Sequence, residues 1–235
     1  CADPYCTAVG GAGSGVVYQR MFGFGDPQWR VHVAEADAPG LNGCWHLDAS
    51  NLARVDLQLL TATPFGAGAN GTVGALATGL AGELIVGGAF TQIDGIPAVG
   101  IANFGGGAWN AYGSGVDVSA GGPRAILPQL GGALVVGGHL GSAGNVPVSS
   151  VARWDGVAWS AMGAGLRPVD TLQPLNNEQG GVRALISSPN GVIAVGVFDA
   201  SGTQTLSGVA EWNGVAWSPV GSALGSSLAF PTAGV

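Results

Sequence analysis

The pentapeptide Gly-Val-Ala-Trp-Ser stands twice in this chain, at Gly156–Ser160 and Gly214–Ser218, each time at the same place in a longer unit. Around it the chain superposes on itself at a spacing of 50 residues. Leu84-Ile85-Val86-Gly87-Gly88 falls on Leu134-Val135-Val136-Gly137-Gly138, Pro97 on Pro147, Phe104 on Trp154, Trp109 on Trp159 and Gly113 on Gly163. A third copy with small changes of length runs from Arg183-Ala184-Leu185 through the Val192–Gly196 run to Glu211-Trp212 and Trp217-Ser218. A fixed period of this size points to a solenoid, a propeller or another array.

Each apolar run is short, rich in Val, Ile, Leu and Trp, and bounded by Gly, Pro, Asn or Ser, which is strand-and-turn punctuation. No window carries the 3.6-residue apolar period of a helix. In the second copy four strands are expected, near Arg124–Leu127, Ala133–Gly138, Ser150–Trp154 and Ala158–Met162. Asp155-Gly156 and Asn213-Gly214 are expected to close the last two strands in tight type I′ hairpins, which need positive φ at both central residues. Gly105-Gly106-Gly107 meets the same demand in the first copy. The expected fold is all-β, a β-propeller of four-stranded antiparallel blades.

A Gly-Gly doublet ending an apolar strand, then an aromatic-Asp pair, then a Trp, resembles the kelch pattern of galactose-oxidase-type propellers. The form Trp-Asp-Gly-x-x-Trp-Ser also resembles a repeat of large secreted bacterial surface proteins. The likeness covers about Val73–Ser222. It departs from the usual kelch spacing, because the two aromatic positions stand closer together. It also loses the second glycine in the third copy, where Val197 stands. A galactose-oxidase-type copper site would require Tyr and His together, and Tyr5, Tyr18 and Tyr112 have no matching His pair. The enzyme half of the resemblance is therefore not carried over.

The expected organisation is an arm over 1–13, a divergent first blade over 14–60, and blades over 73–116, 123–166 and 182–224. The divergent blade would place strands near Val16–Phe22, Trp29–Ala34, Cys44–Asp48 and Arg54–Leu60. Residues 225–235 form the first strand of a further or ring-closing unit, since Ala229-Phe230 matches Ala184-Leu185. About four to five blades result, either a small closed ring or an open array.

Charge narrows the function. The chain has 44 Gly, 9% charged residues, 47% hydrophobic residues and a net charge of −7. It has no Lys, and its seven Arg are outweighed by acids, so the balance argues against nucleic acid and an anionic membrane surface as partners. Apolar stretches are broken by Gly before they reach the roughly 18–20 residues that span a bilayer. Disorder is excluded by the apolar residues standing in register between copies.

The composition, with cysteines only at Cys1, Cys6 and Cys44, reads as extracellular or cell-surface. The chain starts at Cys1, as a mature secreted product or a piece of a precursor would. Cys6 and Cys44 pair in one reading, leaving Cys1 for an intermolecular bond, a free thiol or lipid; other pairings, or three reduced thiols, stay open.

No catalytic constellation emerges, and no cofactor or metal site is expected. His32, His46 and His139 lack zinc or haem spacing, and His139 replaces Ala89 of the neighbouring copy. The Gly-rich stretch Val9–Gly15 lacks the Lys and Ser/Thr of a phosphate loop. Asp155 has Asn213 as its counterpart and reads as a turn residue. The recurring tryptophans read as packing that bridges neighbouring sheets. Candidate partner- or ligand-binding residues lie in the inter-strand and inter-blade connections: Asp94, Asn145, and Arg167, Asp170, Asn176, Asn177 and Glu178 in the long segment Gly163–Gly181. The expected role is a non-enzymatic extracellular structural or interaction module, in adhesion, surface display or self-assembly. A carbohydrate-binding propeller is the alternative, and a propeller hydrolase or oxidase stands third.

Overall fold

A computed structural model describes residues 52–56, 61–168 and 180–220. The N-terminal arm, the strands expected before Ala53, all three cysteines, Asp170, Asn176, Asn177, Glu178 and residues 225–235 lie outside the described residues. Among the described residues the chain is all-β, with antiparallel sheets, one short 3₁₀ turn at Leu130–Gly132 and no α-helix.

In chain order, β1 (Ala53–Asp56) pairs with β2 (Thr61–Pro64). Sheet I follows: β3 (Thr72–Thr78), β4 (Leu84–Ala89), the small hairpin β5 (Gln92–Ile93)/β6 (Ile96–Pro97), then β7 (Ile101–Gly105) and β8 (Ala108–Ala111), with the order β3-β4-β7-β8. Sheet II repeats this with β9 (Gly122–Pro128), β10 (Leu134–His139), the hairpin β11 (Ser142–Ala143)/β12 (Val146–Pro147), β13 (Val151–Trp154) and β14 (Trp159–Ala161). After a linking strand β15 (Arg167–Pro168), sheet III is built from β16 (Gly181–Ser188), β17 (Gly191–Ser201), β18 (Gln204–Thr205), β19 (Val209–Trp212) and β20 (Trp217–Pro219). β15 and β18 pair with the far end of β17.

The sheets stack face to face, with an apolar layer at each junction. Leu52 and Ala69 meet Val86, Phe90, Ala102 and Trp109 in the first layer. Ile85, Ile101 and Tyr112 meet Leu134, Val136, Trp154 and Trp159 in the second. Val135, Val151, Met162 and Leu166 meet Val182, Val192, Ala194 and Trp217 in the third. Strand β10 therefore sends Leu134 and Val136 one way and Val135 the other. A strand covered on both faces has no polar side, which is why its sequence is a continuous apolar run rather than an alternation.

Successive sheets approach through glycine. A Cβ on Gly87 would lie 2.9 Å from Pro123 Cβ and 3.0 Å from Ile126 Cδ1 of the next sheet, and one on Gly137 would overlap Val182. Any larger residue here would push the sheets apart.

Four expectations change. The turns at Asp155-Gly156 and Asn213-Gly214 are not type I′, because only the glycines have positive φ. In each, the side-chain oxygen accepts two backbone N–H bonds, Asp155 from Val157 and Ala158 and Asn213 from Val215 and Ala216, all at 2.8–3.0 Å. The polar side chain holds a four-residue loop and relieves its own backbone of left-handed strain. Type I′ geometry occurs instead at Gly106-Gly107 (φ 62 and 85) and Asp94-Gly95 (φ 52 and 75). Next, strand register puts Val195, not Val197, in place of a glycine, and it is the first of the doublet: Gly87 faces Ile101, Gly137 faces Val151 and Val195 faces Val209. The strand expected over Arg54–Leu60 is described only as far as Asp56, and it pairs with a strand that was not expected, Thr61–Pro64. Finally, the pairing Ala53↔Pro64 and Arg54↔Thr63 repeats Ala152↔Ala161 and Arg153↔Ser160, so the earlier unit runs past residue 60 to about Phe65.

Ser150 accepts strain that its counterparts avoid. Its N–H donates to Leu140 O as those of Gly100 and Gly208 donate to Phe90 O and Phe198 O, but it holds φ 62 with a side chain. Its buried Oγ has no hydrogen-bond partner. Ser150→Gly is expected to raise stability by about 1 kcal/mol, read as a higher denaturation midpoint in urea. A lower midpoint would contradict this.

Candidate functional site

Each unit ends in one motif: Phe65-Gly66-Ala67-Gly68-Ala69, Tyr112-Gly113-Ser114-Gly115-Val116 and Met162-Gly163-Ala164-Gly165-Leu166. Both glycines hold positive φ in every copy, between 59 and 82. The turn brings the carbonyl of its first residue under the next sheet. Trp159 Nε1 donates to Tyr112 O at 2.9 Å, and Trp217 Nε1 to Met162 O at 3.0 Å. The last-strand tryptophans of sheets II and III thus bond to the unit before them, and Trp109, Trp159 and Trp217 each stand beside a cross-strand aromatic partner 5.3–5.5 Å away (Phe104, Trp154 or Trp212).

The residue after the motif latches onto the stretch just past the core of the next sheet's second strand, with different chemistry each time. Asn70 Oδ1 accepts the N–H bonds of Thr91 and Gln92 at 2.8 and 2.9 Å. Asp117 accepts from Gly141 at 3.1 Å and from Ser119 at 2.9 Å. Arg167 Nε donates to Asp199 Oδ1 at 2.7 Å.

The candidate residues find their places in this scheme. Arg167 is a latch; its side chain and that of Asp199 are exposed, so the pair adds little stability. Asp94 sits at the β5/β6 tip and accepts the N–H of Ala67 at 2.7 Å. Asn145 is exposed at the matching β11/β12 tip. Asp94 and Arg167 serve different junctions, and the groove at Asp94 is lined by neither Asn145 nor Arg167.

Electrostatics follow the latches. Partial burial pushes the Asp117 carboxyl up, but donors from Ser119 and Gly141 and the charge of His139 outweigh it and hold the group below its ordinary 3.8. Hydrogen bonding from Arg167 holds Asp199 low. Asp155 is held low by the N–H groups of Ala158 and Val157. Burial pushes the Tyr112 hydroxyl up to about 12, so it stays a neutral packing group. Among the described residues no group of three or more His, Cys, Asp or Glu could hold a metal ion, and no helix is long and apolar enough to cross a membrane.

Among the described residues, two surfaces stand out as places for a partner. A groove of about 370 Å³ runs along the first junction, lined by Pro64, Phe65, Gly66, Asp94, Phe104, Gly107 and Trp109. The buried Nε1 of Trp109 has no hydrogen-bond partner. The second surface is an edge. In a meandering sheet the first-to-second and third-to-fourth turns fall on the same edge. That edge carries Leu80, Leu130, Val157 and Val215, which are 64%, 85%, 85% and 81% exposed at turn tips. The sequence reading missed all four. Their signal is an apolar residue inside a Gly-bearing turn, most plainly the Val of the duplicated pentapeptide.

No family model, no curated protein and no solved structure matches this chain.

Trp159→Phe and Trp217→Phe each leave a junction carbonyl without its donor and are expected to cost about 1–3 kcal/mol in chemical denaturation. Trp109→Phe breaks no such bond and is expected to cost less than either; equal costs for all three would overturn the bonding account. Acid reports the latches differently. A carboxyl held low when folded contributes stability above its ordinary pKa, lost as pH falls through the lower folded value. Asp117→Asn is therefore expected to lower stability near neutral pH and to flatten the loss below about pH 4, measured as urea midpoints across that range.

Proposed function

We propose that this chain is a non-catalytic extracellular structural or interaction module, built as a propeller-type array of four-stranded blades, that docks on protein through its turn edge. The observation that carries the reading is the alignment of Leu80, Leu130, Val157 and Val215, all strongly exposed, on one edge of three stacked sheets. Isolated exposed aliphatics need no explanation, but a repeated row of them at rigid turn tips is a docking surface. The ionisable side chains support a non-catalytic role, because Asp94, Asp117, Asp155, Arg167 and Asp199 are engaged in turns and latches. The kelch-like order of glycine doublet and tryptophan supports the propeller reading. The partner class includes identical copies of the chain, and the near absence of charge suits close packing between them.

The double variant Leu130→Asp/Val157→Asp tests this. Association, read as concentration-dependent mass in light scattering or as binding to the surface of source cells, is expected to weaken at least about tenfold with an unchanged melting temperature. A wild-type chain that stays monomeric at high concentration and binds nothing on those cells overturns the reading.

A second reading rests on the aromatic groove. Phe65, Phe104 and Trp109 beside the Asp94 carboxylate offer apolar faces with an acceptor, the chemistry of a sugar-binding cleft. A glycan array without hits removes it.

A further inference from the structure

The contact between sheets II and III leaves a groove of about 450 Å³, with the buried side chain of Met162 at its base and Gln129, Arg153, Trp212 and Asn213 around it. The repeat shows why it is open here. At the junction of sheets I and II, Tyr112 stands at the place of Met162, and its ring lies edge-on to Trp154 with centroids 5.8 Å apart. Its hydroxyl lies beside the Asn103 side chain, and Trp154 is buried. One unit later Tyr112 becomes Met162, Asn103 becomes Arg153 and Trp154 becomes Trp212. Strand register holds the correspondence, since Val135 pairs with Arg153 as Ile85 pairs with Asn103. Methionine has no ring to lay against the indole, and Trp212 is only half-buried.

The exchange also leaves a charge unanswered. Arg153 shares the face of Val135 and Val151 that looks toward sheet III, and its guanidinium has no hydrogen-bond or ion-pair partner among the described residues. The nearby Asp155 gives its Oδ1 to its own turn. An unpaired guanidinium presents a fork of donors that matches a planar carboxylate. The Gln129 side chain is likewise unbonded, and Asn213, whose Oδ1 is taken by Val215 and Ala216, keeps its Nδ2 for a ligand. Trp212 adds an indole wall.

A guanidinium, two amides and an indole in a groove of this size suit a sugar acid: carboxylate on Arg153, hydroxyls on the amides, the C–H face of the ring against Trp212. An acidic peptide would engage the arginine but has no row of hydroxyls for the amides. We propose that this groove binds a uronic acid unit of an acidic polysaccharide, held through its carboxylate by Arg153. The groove opens beside the turn edge but uses none of its apolar tips, and it shares no residue with the groove at Asp94. It stands whether or not that edge docks on protein.

Calorimetric titration of the full-length chain with trigalacturonate, neutral galactotriose and triglutamate tests this. Trigalacturonate is expected to bind, more weakly as salt rises, and at least about tenfold more tightly than either of the others. Arg153→Gln is expected to weaken it at least about tenfold with an unchanged urea midpoint, because the arginine has no partner in the fold to lose. Met162→Tyr, which restores the residue of the preceding junction, is expected to do the same with the arginine still in place. Should one of these variants lower the midpoint, the other decides. Asp94→Asn is expected to leave binding unchanged. No binding of trigalacturonate, equal binding of the neutral trimer, or full binding by Arg153→Gln or Met162→Tyr overturns the proposal. So does triglutamate binding as tightly, which would assign the groove to an acidic peptide, or loss of binding in Asp94→Asn, which would move the site to the first junction.

Discussion

Everything in this structure depends on how closely one sheet can approach the next, and that distance is set by the missing side chains at Gly87 and Gly137. Because the first strand of the following sheet seats directly on those glycines, the central strands are covered on both faces and carry unbroken apolar runs. The close approach also brings two of the tryptophans within hydrogen-bonding distance of the unit before them. Trp159 and Trp217 reach the carbonyls of Tyr112 and Met162 only because the Gly-x-Gly turns after the last strands present them at the junction. Stability in such an array is a sum over units and the contacts between neighbours, so the junctions matter as much as the sheets.

This economy explains where the charges went. With so few ionisable groups, Asp94, Asp117, Asp155, Arg167 and Asp199 all serve backbone turns or unit-to-unit latches. The latch position is a structural constant filled by Asn, Asp or Arg in turn. Its chemistry varies because the demand is only for a group that ties the outgoing segment to the stretch after the core of the next second strand.

The repeat made much of the fold legible. Strand number and order inside a unit followed from the spacing of Val-Val-Gly-Gly and the two tryptophans, since a strand covered on both faces and a cross-strand aromatic pair each leave a fixed mark. Details set by local backbone geometry were not legible. Asp155-Gly156 carries the same letters as Asp94-Gly95, yet one forms a side-chain-capped four-residue loop and the other a type I′ turn. Pairing register decides between them, and composition does not reveal it. The divergent copy hid the strand Thr61–Pro64, which lacks the tryptophan of its counterparts. Of the candidate residues, Asp94 and Arg167 were found as exceptions in a charge-poor chain but proved to be junction residues. The exposed tips Leu80, Leu130, Val157 and Val215 were overlooked because an apolar residue in a repeat is first read as core.

The central claim is that volume is traded across the junction at the glycine place, and a double-mutant cycle at the second junction measures it directly. Gly137→Val alone is expected to cost about 1–3 kcal/mol through overpacking against Val182. Adding Val182→Ser takes volume away from the other side of the same contact and is expected to recover most of that loss, a coupling of at least about 1 kcal/mol. Strictly additive costs in the two single variants and the double variant would contradict the account.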